Sequence, residues 1–69
     1  MHGWYIIRND LCALHYSPAD GDFPNPSISW VGTLHRSQAT SFPSESEAIR
    51  ILRNHVNQQA NVVAIIFFP

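Results

Sequence analysis

The chain closes on an apolar run: Val62, Val63, Ala64, Ile65, Ile66, Phe67 and Phe68 stand without a polar interruption before Pro69. A strand that shows one face to water alternates apolar with polar, whereas a strand covered on both faces does not. The run therefore predicts a last strand with cover on each side. One cover is a helix. The other is the chain's own long loop or another protein.

Upstream, residues 4–8 and 11–16 read as two strands linked by Asn9-Asp10, a pair that tolerates the positive φ of a tight hairpin turn. Pairing Arg8 with Leu11 sets the expected register. Tyr5, Ile7, Cys12, Leu14 and Tyr16 then share an uncharged core face, and Trp4, Ile6, Arg8, Leu11, Ala13 and His15 share the other. Residues 17–27 read as a loop, because Pro18, Gly21, Pro24 and Pro26 interrupt any ladder. A third strand is expected over 27–34, with Ile28, Trp30 and Leu34 facing one way. Residues 35–43 form a connection.

Ser44 stands three residues before Glu47, the capping-box spacing. Glu45 and Glu47 suit the positive end of a helix dipole, and Arg50, Arg53 and His55 suit its later turns. Ala48, Ile51, Leu52, His55 and Val56, widened by Ile49, make an apolar stripe at helical spacing. Residues 57–61 end the helix and turn the chain into the last strand. The sum is an α+β fold, a small β-β-β-α-β domain over residues 1–69, with a sheet of three or four strands and one helix on one face. A right-handed crossover predicts the strand order 3-2-1-4, the fourth strand parallel to the first. A three-stranded sheet with 27–34 irregular is the alternative.

Composition narrows the classes of function. At 69 residues the chain can bury only a modest core. Cys12 is the only cysteine, which excludes an intrachain disulfide and fits a reducing compartment. The net charge is -1, and all four basic residues are arginines, too few for the basic stripe of a nucleic-acid binder. The apolar run after Met1 is too short for a secretion signal, and the closing run is too short to span a bilayer. A cytoplasmic protein without a membrane role is expected.

Candidate chemistry is sparse. Cys12 and His15 suggest a metal pair, but strand positions three apart point to opposite faces, and zinc needs three or four converging ligands. A nucleophilic cysteine would need an exposed, activated thiol beside a base, whereas Cys12 falls on the expected core face. No phosphate-cradling glycine loop or paired-carboxylate pattern is present. Trp4, Trp30, Tyr5 and Tyr16 could stack on bases, yet Arg8, Arg36, Arg50 and Arg53 are scattered. Neither an enzyme nor a bound metal or cofactor is expected. Trp4, Ile6 and Leu11 share the face expected to lie away from the helix. Trp and Arg are favoured interface anchors, so Trp4 with Arg8 is the expected centre of a partner surface. The competing arrangement closes that face with the 17–27 loop, Phe23 serving as the plug.

Trp30, Ala39, Phe42, Ser44, Glu47 and Ala48 occur in an order that resembles short proteins of bacteriophages and other mobile elements. Those chains open with a hairpin similar to residues 5–9, then carry a Trp, an A-x-x-F step, an S-x-x-E-A helix start and a closing apolar strand. The insertion at 17–27 departs from that pattern. The resemblance implies a compact α+β domain with no catalytic residue. It also implies a role like that of host-directed inhibitors, anti-CRISPR proteins among them. The expected function is thus a non-enzymatic protein-interaction module that sterically occupies a host protein or complex, in the bacterial cytoplasm. The alternatives are a small nucleic-acid-associated regulator and a structural homodimer.

Overall fold

A computed structural model describes residues 2–56 and 62–69. Its elements are β1 (Gly3–Arg8), β2 (Ala13–Ser17), β3 (Ser27–Val31), a 3-10 stretch (Thr33–Gln38), α1 (Glu45–His55) and β4 (Val63–Phe68). The strands form one sheet in the order β3-β2-β1-β4. Among the described residues the fold is a small α+β domain with one α-helix, packed on one face of the sheet.

The helix begins where its cap places it. Ser44 is extended, and its Oγ accepts the backbone N–H of Glu47 at 3.2 Å. Only half of the capping box forms, because the Glu47 carboxylate turns outward and accepts from Arg50 Nη2 at 2.9 Å. Ala48 and Ile51 are buried, and Leu52 and Val56 pack beside them. The strand order agrees with the sequence reading, but every neighbouring pair is antiparallel, including β1 and β4. The expected parallel crossover is corrected by the connection before the helix. Trp4 and Phe42 form an antiparallel bridge, so the chain runs back down the sheet there before α1 carries it up. That extra pass reverses β4.

The hairpin also differs by one residue. Arg8 N–H donates to Cys12 O and Leu11 N–H to Arg8 O, each at 2.8 Å, and Leu11 sits at φ 66. This is a three-residue loop with a left-handed third position rather than a two-residue link. Asp10 braces it, accepting from the Cys12 N–H at 3.3 Å and from Arg8 Nε at 2.9 Å. A slip of one residue turns every β1 side chain to the other face relative to β2. Ile7 is opposite Ala13; Trp4, Ile6 and Arg8 therefore join Cys12, Leu14 and Tyr16 on the helix face. The assignment of Ile6 to an outward face is overturned: Ile6 is fully buried, in a cluster with Leu14, Phe42, Ala48 and Ile51. Trp4 is half-buried against the same cluster.

The two central strands pair at Ile7 and Ala13 and then part. Residues 40–42 fill the gap. Thr40 N–H donates to Leu14 O at 2.9 Å, and Thr40 Oγ1 accepts the Tyr16 N–H at 2.7 Å. Phe42 exchanges two backbone bonds with Trp4, at 2.8 and 3.1 Å. Backbone groups that would be orphaned by the splay are thereby satisfied. Gly3, at φ +111, permits this approach, since a Cβ there would collide with Ser41 Oγ. The 3-10 stretch lies against β2 and β3, and His15 Nδ1 lies 2.7 Å from Gln38 O. His15 alternates with Leu14, so the 3-10 stretch sits on the face opposite the helix.

Candidate functional site

The residues singled out in the sequence do not converge. Leu11 is 60% exposed at the β1–β2 turn, and Phe23 is 71% exposed on the loop at the opposite end of the sheet. Ile6 lies inside the core. Arg8 is held in place on the helix face: its guanidinium stacks 4.8 Å from the Trp30 ring and forms a bidentate pair with Asp10. The hydrogen bond from Arg8 holds the Asp10 carboxyl down at a pKa of about 2. The Trp4 ring packs 5.0 Å from that of Phe67.

Phe23 is not a plug. The loop closes on itself instead: Asp20 Oδ1 accepts the N–H groups of Asp22 and Phe23 at 2.9 and 2.8 Å, and Asp20 N–H donates to Phe23 O at 2.8 Å. An Asx-type turn of this kind needs no contact with the sheet.

What the structure does bring together is the β4 side of the sheet. β4 is an edge strand. Trp4 spends its N–H and C=O on Phe42, so the alternate residues Gly3, Tyr5 and Ile7 are the ones whose backbone faces β4. Their partners are Phe68, Ile66 and Ala64. It follows that Val63, Ile65 and Phe67 turn their N–H and C=O groups away from the sheet. Among the described residues no turn, loop or cap bond reaches them.

The side chains along this edge are apolar on both faces. Phe67, on the helix side, is 52% exposed, and Ile66, on the opposite side, is 39% exposed. Leu11 and Val62, both exposed, extend the surface at the end where Arg8 pairs with Val63. No charged residue occurs from Val62 to Pro69. Around Ile66, Tyr5 is buried and meets Phe68 edge-on at 5.5 Å. The signal for this surface was present in the unbroken apolar run. What sequence reasoning missed is that such a run can also be an edge strand with one side unpaired.

The arrangement on the β4 side suits association. An edge strand with free backbone groups can accept another extended segment, and its alternating side chains can select that segment. Cys12 is half-buried on the helix face and His15 is exposed on the other. No group of three His, Cys, Asp or Glu side chains gathers to hold a metal among the described residues. No helix among them is long and apolar enough to cross a membrane. No protein-family model matches the chain, and no curated protein or solved structure matches it.

Proposed function

We propose that this chain is a non-enzymatic protein-interaction module that acts by occupying a surface of another protein, with the β4 side of the sheet as its contact region. The observation that carries the reading is the uncharged strand Val63–Phe68, whose outer edge takes no backbone bond among the described residues and which exposes Ile66 and Phe67 on opposite faces. Exposed apolar surface of this kind usually marks a contact site. The resemblance to short phage and mobile-element proteins makes a bacterial host protein the partner of this proposal, and inhibition by steric occupation its mechanism.

The test is retention of a defined host protein from bacterial lysate on immobilised wild type, compared with Ile66→Lys, which puts a charge on the open face. A hydrophobic contact holds through a rise in salt and is lost in the variant. Retention of nucleic acid that falls steeply with salt, through counterion release, would replace this reading with the regulator alternative.

A further inference from the structure

We infer that β4 pairs with β4 of a second copy, so that the working unit is a two-fold dimer with one continuous sheet. The inference rests on the reading of the β4 side as a contact surface and names its first occupant. Three observations favour a second copy over a foreign strand.

The first is register. The outward groups belong to Val63, Ile65 and Phe67, spaced symmetrically about Ile65. An antiparallel partner related by a two-fold axis through that point sets Ile65 opposite the partner's Ile65 and Val63 opposite the partner's Phe67. Each of these pairs can exchange both of its backbone hydrogen bonds. On the open face Ile66 then meets the partner's Ala64, a large side chain against a small one.

The second is charge. A two-fold axis brings like residues near one another, so any charge on the edge would be opposed by its own copy. From Val62 to Pro69 there is none. Monomeric sheets usually defend an edge with Lys, Pro or a bulge. Within β4 no Lys and no Pro occurs, and its pairing with β1 runs unbroken from Gly3–Phe68 to Arg8–Val63.

The third is closure. Joining two β4 strands leaves β3 at both outer ends of the combined sheet. β3 alternates Ser27, Ile28, Ser29 and Trp30, a pattern that offers no matching apolar edge. A head-to-tail contact of β4 on β3 would propagate into filaments, whereas β4 on β4 stops at two. The pairing strand has six residues, about 20 Å in length. An edge of that size falls short of the roughly 800 Å² per partner of a standard interface, so the dimer is reversible and concentration-dependent.

The experiment combines sedimentation across a wide range of protein concentration with residue-resolved amide exchange. The expected result is a monomer–dimer equilibrium with no larger species. Protection of the Val63, Ile65 and Phe67 amides should rise with concentration while that of β3 stays constant. Phe67→Lys, the edge defence that natural sheets use, should weaken the dimer at least about tenfold. The exchange measurement on wild type stands even where that variant folds poorly. A monomer at every concentration, a dimer whose three outward amides stay unprotected, or open-ended assembly would each overturn the inference. A monomer that still retains its host protein ends this inference and leaves the proposed function standing. A β4-paired dimer that retains no host protein does the reverse.

Discussion

The two edges of the sheet obey different rules. β3 presents Ser27 and Ser29 to solvent and turns Ile28 and Trp30 toward the helix side, where they pack against the core cluster. Pro26 precedes it, and the 3-10 stretch packs beside it. β4, with Val63, Ala64, Ile65, Ile66, Phe67 and Phe68, has no polar position on either face. Both strands are antiparallel to their single neighbour and of similar length, so geometry does not distinguish them. The difference lies in side chains. An edge is made safe in water by polar alternation, and where that is missing the strand is suited to pairing.

The comparison holds only if both edges belong to one cooperative unit. Leu14, fully buried on central strand β2, tests this. Leu14→Ala should cost about 2–5 kcal/mol, the largest effect expected here. Thermal unfolding should shift down accordingly, and amide protection in β3 and β4 should fall together. A variant in which β3 loses protection while β4 keeps it would split the molecule into two units, and the two edges could no longer be compared on equal terms.

The parts of this contrast that were legible in the sequence are those set by neighbours in the chain. Ser44 and Glu47 fix the helix start through a bond that spans three residues. The stripe through Ala48 and Ile51 fixes its buried face, and the apolar run fixes β4. The hairpin register was not legible. Asn9-Asp10 carries the usual turn chemistry, yet the left-handed position fell to Leu11, a residue with no preference for it. That single shift sent Ile6 into the core instead of onto a contact face. The wedge at 40–42 was equally hidden. Its bonds to Leu14, Tyr16 and Trp4 join positions far apart in sequence, and no local pattern announces them. Without the wedge the direction of β4 comes out parallel, and the character of its outer edge is lost from view.

A smaller change sharpens the contrast. α1 packs over β1 and β4, so weakening the helix start should be felt more at the β4 edge than at β3. Ser44→Ala removes the acceptor for the Glu47 N–H and should cost about 1 kcal/mol. Circular dichroism melts give the total, and amide exchange gives its distribution, with Ile66 and Phe68 losing more protection than Ser29 and Val31, the β3 residues whose backbone groups face β2. Equal losses on the two edges would show that the helix supports the sheet as a whole.

The smallest effect concerns the link that ties β3 to the central hairpin. Arg8, on β1, reaches across β2 to lie over Trp30 and is held there by Asp10. The hydrogen bond from Arg8 is the main cause of the low Asp10 pKa, about 2. A carboxyl depressed in the folded state contributes stability above its unfolded pKa. That contribution is lost as pH falls through the folded value. The window therefore lies between the ordinary carboxylate range and about 2. The pair sits at the surface, so the change in stability should be slight, and the titration itself is the sensitive readout. Followed by NMR, the Asp10 carboxyl should show a midpoint near 2 in wild type. In Arg8→Gln it should return toward the ordinary carboxylate range, with the Trp30 indole signal shifting and the Phe67 signals unmoved. A wild-type midpoint already in the ordinary range would mean that the pair does not form in solution. Movement of Phe67 would mean that the two edges communicate through the hairpin, and their different behaviour could then no longer be assigned to their own side chains alone.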